Sequence, residues 1–348
     1  MDAQGLFTAT LLDASGPALA SRAVSRLSEA GGRDAERVAT WGFTRLVADA
    51  AQRLRVLAEA LAAGRREVFD LDVDWMRATL AARVVEPALL SSVLRALEAE
   101  LAESLAPEAG ARAREWLAAA RQRTDGEAPP EVAGPSRDPE VRRFLVALLE
   151  GNRRQAFDLA LESLRRDDDI GRVHDTLLVP AQGDMGRLWQ RGELGVAEEH
   201  IASRLVGEVL TLLRQRIPPN EGPLALVSCV PGNMHDIGAQ MVADRLDLAG
   251  WRALCLGADV PAADLAQAVG QFAPTCVAIS SGLGVHVRAT ARLIEALRSD
   301  PATRVPVIVG GRIFSAVDGL WRDVGADAFG ADAASAVAAA QAWRRGGA

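Results

Sequence analysis

Lysine is missing altogether from this sequence, and so is tyrosine; all 39 basic side chains are arginine, a compositional bias rather than a mechanism. Cysteine is scarce. Cys229, Cys255 and Cys276 each fall in or beside a strand-like apolar run, with no metal-ligand spacing, so they read as small buried apolar residues. No apolar run approaches the ~20 residues that a membrane helix needs. Met1-Asp2-Ala3-Gln4 opens no signal peptide, so a cytoplasmic protein without a membrane partner is expected. The net charge of −7 argues against direct nucleic-acid binding, which calls for a basic face. The Gly-x-Gly-x-x-Gly and phosphate-loop fingerprints are absent, and no Ser-His-Asp or Cys-His arrangement stands out. No catalytic residues are assigned, and the expectation is a protein that is not an enzyme.

What is present divides the 348 residues into an α plus α/β arrangement. Residues 1–125 read as a bundle of about five helices. Ala18–Ala30 comes first, followed by one long helix from Asp34 to Ala63 that Gly64 closes. Asp72 or Asp74 is placed to cap the next helix; Pro87 and Pro107 sit where first-turn prolines belong, before Leu89–Leu105 and a last helix to Gln122. Residues 126–138 are a Pro/Gly-rich linker. Residues 139–217 hold four helices, the third of which, Ile170–Arg191, should kink at Pro180. Residues 222–348 alternate strand and helix, as in a doubly wound, Rossmann-like parallel sheet. The strands are expected at Leu224–Val230, Arg252–Leu256, Cys276–Ser280, Val305–Val309 and Ala328–Gly330, and a helix at 314–323.

The loop after the first of these strands reads Pro231-Gly232-Asn233-Met234-His235-Asp236-Ile237-Gly238. An imidazole there, with an amide two residues before it, suits a metal ligand whose ring is oriented by a hydrogen bond. On the loop alone, an unliganded histidine is equally consistent. Ser281-Gly282-Leu283 and Gly310-Gly311 follow two later strands. Together the three motifs resemble the cobalamin-binding domain shared by methionine synthase, corrinoid methyl carriers and B12 photoreceptors. The resemblance implies that His235 is the lower axial ligand of cobalt. Asn233, Asp236, Ile237 and Gly238 then shape its loop, Ser281 and Leu283 contact the buried nucleotide tail, and Gly310 and Gly311 let that tail pass close to backbone. Asn233 stands where the family has aspartate, so the loop brings no negative charge to the imidazole. The four helices at 139–217 resemble the family's cap over the upper face of the cofactor.

Within that cap, Trp189 is followed after nine residues by Glu199-His200. This resembles the pattern of CarH/LitR-type B12 photoreceptors. Gly192 and Gly195 let the chain turn between two helices, so an indole and a carboxylate can share one surface. The resemblance implies that Trp189 walls an adenosyl group and Glu199 accepts from its ribose. Where that type has a histidine after the tryptophan, this chain has Gln190; His200, and more weakly His286, are the remaining candidates for an upper cobalt ligand, while His174 reads as structural.

Instead of a DNA-binding domain, the N-terminal part is a helical bundle. It reads either as a dimerisation bundle or, by the layout's resemblance to photocobilins, as a holder for biliverdin. With no cysteine in residues 1–125, a bilin could bind only non-covalently, with Trp41, Arg45 and Trp75 as candidates. The expectation is therefore a homo-oligomeric, dimeric receptor for adenosylcobalamin, with biliverdin as the second chromophore if the bundle is a holder rather than a dimerisation element. In it, light breaks the cobalt–carbon bond and alters assembly or contact with a downstream signalling protein. The alternatives are a corrinoid methyl carrier and a light-independent B12-sensing scaffold.

Overall fold

The computed structural model describes residues 2–345; Met1 and residues 346–348, the end of the expected 222–348 domain, lie outside the described residues. The chain begins with α1 (Ala3–Glu29), α2 (Gly32–Trp41), α3 (Phe43–Ala63), α4 (Arg66–Ala82), α5 (Ala88–Ser104) and α6 (Pro107–Gly126). After a coil come α7 (Pro139–Leu149), α8 (Arg153–Asp167), α9 (Ile170–Val173), a π-turn (His174–Leu178), α10 (Val179–Arg191) and α11 (Val196–Arg214). The α/β part follows as β1 (Leu224–Cys229), α12 (Ile237–Leu248), β2 (Arg252–Gly257), α13 (Ala262–Phe272), β3 (Cys276–Ser280), α14 (Val287–Ser299), β4 (Val307–Gly310), α15 (Arg312–Ala316), α16 (Leu320–Asp323), β5 (Ala328–Gly330) and α17 (Ala333–Arg345). The chain forms two compact units. One holds the residues up to Glu131 together with Leu283–Arg288 and Ala316–Val324; the other holds the rest.

The first unit is built on α1 and α3. Leu12, Leu19, Leu54, Leu57 and Leu61 are all buried at helical spacing and form its apolar seam. Six helices, α1–α6, stand in its N-terminal part among the described residues rather than about five, because the expected Asp34–Ala63 helix is two: Gly42, at φ +88°, takes a conformation closed to other residues and ends α2. The first helix also starts earlier than expected, at Ala3, capped by the Asp2 carboxylate on the Gln4 N–H. Asp72 and Asp74 cap nothing. They lie inside α4, where Asp72 pairs with the buried Arg53 at 2.7 Å and Asp74 with Arg77 at 2.7 Å. Glu59 and Arg288 are both buried and pair at 2.9 Å within this unit.

The second unit contains a five-stranded parallel sheet in the order β2-β1-β3-β4-β5. Every residue of β1 is buried, as a central strand requires. Ala239, Ala243, Ala336 and Ala340 of α12 and α17 pack on Ala225, Val227 and Cys229, so small residues on both sides seat these helices close to the sheet. The sheet order reverses between β1 and β3. In open α/β sheets, ligands bind beyond the carboxyl ends of the strands at that reversal. The expected helix at 314–323 is two short helices, α15 and α16, parted at Gly319, and α16 belongs to the first unit.

The helices α7–α11 close their own core around Phe144, Leu148, Leu178, Val206 and Leu210, and Met241 of α12 joins it. At Pro180, where a kink is expected, the winding changes. In the π-turn before it, the Val179 N–H reaches back to the His174 carbonyl, the longer loop that makes room for a ring lacking an N–H. Among the described residues no helix is long and apolar enough to cross a membrane.

Candidate functional site

The loop between β1 and α12 stands at the sheet reversal. Asn233 is fully buried there, and its side chain works in two directions. The amide N–H donates to the Ser280 carbonyl at the end of β3 at 3.1 Å, and its oxygen accepts from the His235 N–H at 3.2 Å. The sequence suggests an amide that orients the imidazole; the structure has it holding the His235 main chain instead. The Cys229 thiol donates to the His235 carbonyl at 3.7 Å, and burial pushes that thiol up to about 12, so it stays protonated. With its backbone held at both ends, His235 presents an exposed side chain. Asp236 accepts from the Gln240 side chain at 2.9 Å, and Ile237 packs against the α7–α11 core. Gly238 is exposed, with no atom within 4 Å of where a Cβ would stand.

Ser281 lies beside this loop. Its N–H donates to the Gly310 carbonyl at 2.9 Å, while its hydroxyl is wholly buried and has no hydrogen-bond partner. Buried hydroxyls are normally satisfied, so an orphan here points to a partner from outside the protein. Gly311 has φ +112°, and a Cβ on it would stand 2.2 Å from the Ser281 carbonyl oxygen; one on Gly310 would stand 2.9 Å from that of Gly330. The pair therefore presents bare backbone next to the orphan hydroxyl.

Gly192, at φ +76°, ends α10 and Gly195 opens α11, so the turn lies where the sequence places it. Trp189 is partly buried on the same core that receives Ile237. Glu199 accepts from the Ser203 hydroxyl at 2.5 Å and shares a 2.7 Å hydrogen bond with the exposed His200 ring. Arginine pairs tie these helices to α12. Arg214 bonds Asp244 and, at 2.7 Å, Asp247; Arg245 bonds Asp175 and, at 2.8 Å, the Gly171 carbonyl.

The remaining expected residues fall as follows. Leu283 and His286 fall in the first unit, Leu283 half exposed and His286 buried. Arg45 stacks on the Trp41 ring at 4.3 Å, whereas Trp75 stands on α4, partly buried. His174 is buried, and neither ring nitrogen has a hydrogen-bond partner, with Asp244 3.8 Å away. Burial, aided by the Arg245 charge, lowers its pKa to about 4; burial raises that of Asp244 to about 6. Asp259, on the β2–α13 loop, escapes the sequence reading; only its place before Val260-Pro261 at a strand end could have marked it.

The B12 binding domain family matches residues 223–340, and a second family of that description matches residues 140–214. The HTH-type transcriptional repressor CarA of Myxococcus xanthus is 34% identical over 188 residues, 51% of this chain and 61% of the repressor. The chain thus spans less than two thirds of that relative's length. The dimethylamine corrinoid protein 3 of Methanosarcina acetivorans is 27% identical over 187 residues, covering 52% of this chain and 86% of that protein. Among solved structures, the monomethylamine corrinoid protein of Methanosarcina barkeri superposes with a TM-score of 0.50 at 20% identity over 57% of this chain and 94% of its own, a likeness of fold. The two family matches and the two sequence relatives support cobalamin binding by this chain.

Proposed function

We propose that this chain is a B12-dependent photoreceptor that binds adenosylcobalamin and signals by changing its assembly or its contacts with a downstream protein. Adenosylcobalamin, when bound, supplies a cobalt–carbon bond that light can cleave. The residues present fit the cofactor: an orphaned buried hydroxyl at Ser281 beside bare backbone at Gly310 and Gly311, and an exposed imidazole on a fastened loop. In this reading His235 would hold cobalt, Ser281 would bond the nucleotide tail, Trp189 would wall the adenosyl group and Glu199 would accept from its ribose. His200, already bonded to Glu199, would be the next imidazole available to cobalt, since Gln190 stands beside the tryptophan.

The observation that carries the light-sensing reading is the placing of Trp189 and Glu199 on consecutive helices across the Gly192–Gly195 turn. Trp189 and Ile237 share one core, so a change at the indole is felt at the helix that follows His235. The first unit serves as a dimerisation bundle, or holds biliverdin non-covalently against the Trp41–Arg45 stack, with Trp75 as a further candidate. The receptor acts in the cytoplasm, as a non-enzymatic homodimer.

The second reading, a corrinoid methyl carrier, is favoured by the 86% of the dimethylamine corrinoid protein that this chain spans. A light-independent B12-sensing scaffold is the third. Size-exclusion chromatography of the adenosylcobalamin-loaded protein, in the dark and after green light, separates them. A light-dependent change of assembly supports the receptor. Assembly that follows cofactor binding but ignores light supports the scaffold; no response to light, with methyl transfer between the methylcobalamin-loaded protein and a methyltransferase, supports the carrier. Titration with biliverdin tests the bundle separately, by the appearance of a far-red band.

A further inference from the structure

The His235 loop is fastened on both flanks, and only one of the fastenings belongs to a motif. On the β3 side, Asn233 bonds the Ser280 carbonyl. On the β2 side stands Asp259, whose carboxylate accepts from the Gly232 N–H at 2.7 Å and whose own N–H donates to the Asn233 carbonyl at 3.1 Å. The next residue, Val260, donates its N–H to the Cys229 carbonyl at 3.4 Å. To make these bonds Asp259 takes φ +51°, a conformation that a side-chain-bearing residue adopts at a cost. An aspartate in this conformation commonly bonds its own neighbouring backbone. Here the carboxylate reaches across 27 positions of sequence to the loop that carries the imidazole.

We propose that Asp259 is a positioning residue for His235: it holds the Gly232–Asn233 peptides so that the imidazole is presented at a fixed height above the carboxyl end of β1. Its role toward cobalt rests on the cobalamin reading given above; its hold on the loop does not. Two substitutions separate the bond from the backbone conformation. Asp259→Gly accepts φ +51° without strain and removes the carboxylate, leaving a freer main chain. Asp259→Asn tolerates the conformation and keeps an oxygen that accepts from Gly232.

The experiment uses the full chain and has two readouts. The first is amide hydrogen exchange at Gly232 and His235 in the protein without cofactor. The second is the fraction of bound adenosylcobalamin with imidazole on cobalt, read in the dark from its visible spectrum, with His235→Ala as the imidazole-free reference. For D259G, exchange at Gly232 should quicken, and the ratio of ligated to unligated cobalt should fall, each by roughly three- to tenfold; D259N should restore both. Unchanged exchange in D259G, or equal impairment of D259G and D259N, overturns the proposal. If H235A leaves the cobalt spectrum as it is in the unsubstituted protein, the cobalamin reading of His235 fails, and the exchange arm alone still decides whether Asp259 holds the loop.

Discussion

The side-chain amide of Asn233 donates to the main-chain carbonyl of Ser280 at 3.1 Å, joining the loop after β1 to the end of β3. A carboxylate at this position would have no proton to give and would set a buried negative charge against a carbonyl oxygen. Asn233→Asp is therefore expected to lower stability by about 1–3 kcal/mol at neutral pH, read from the urea midpoint. The introduced carboxyl has its folded pKa raised by burial. The variant's deficit is thus absent below the unfolded pKa of the group and grows as pH rises through the folded one. A variant as stable as the original at neutral pH would show that the amide's donor role is unimportant.

Gly311→Ala is expected to do more than strain one residue. Its Cβ would stand 2.2 Å from the Ser281 carbonyl oxygen, at φ +112°. The loss should exceed ~1 kcal/mol, because neither the backbone conformation nor the space accepts a methyl group. Displacement of Ser281 should also weaken cobalamin retention, measured by equilibrium dialysis.

Trp189→Ala is expected to lower adenosylcobalamin affinity by roughly tenfold, about 1.4 kcal/mol, and to leave methylcobalamin affinity nearly unchanged. Because Trp189 also packs on the α7–α11 core, Trp189→Phe serves as the control that keeps an aromatic wall. Equal losses for both cofactors would place the indole in the fold and not in an adenosyl pocket.

His174 and Asp244 make opposite contributions to pH dependence. With its folded pKa lowered to about 4 from 6.5, His174 is neutral in the fold while the unfolded chain still holds a proton, so its contribution rises with pH across that window. Asp244, raised to about 6 from 3.8, holds a proton in the fold that the unfolded chain has lost, so its contribution falls as pH rises. Between about 4 and 6 the two slopes cancel. The stability difference between the original protein and His174→Gln should therefore grow by up to about 3 kcal/mol from pH 4 to 6.5, in urea midpoints taken across the range. A constant difference would place a charged His174 in the folded protein.

The α/β part was largely legible in the sequence. β3 and β5 match the expected strands residue for residue, and β1, β2 and β4 differ only by one or two residues at their ends. Apolar runs bounded by glycine and proline leave little choice there. The helical part was less so. Gly42 gives no sign of a break in the sequence because apolar residues continue at helical spacing on both sides of it, and Asp72 resembles a cap because its partner, Arg53, lies on another helix. The same limit applies at the site. His235, Ser281 and Gly311 were marked by local motifs. The contact of Asn233 with Ser280 and that of Asp259 with Gly232 join positions far apart in the chain, and no spacing rule reveals them.

Light sensing is decided by the absorption spectrum of the protein loaded with adenosylcobalamin in the dark, taken before and after green light. The bound cobalamin band should convert on illumination, and Trp189→Ala should alter the conversion. A cobalamin that is bound, stays on the protein and keeps its spectrum under light would contradict light sensing and leave the carrier as the better reading.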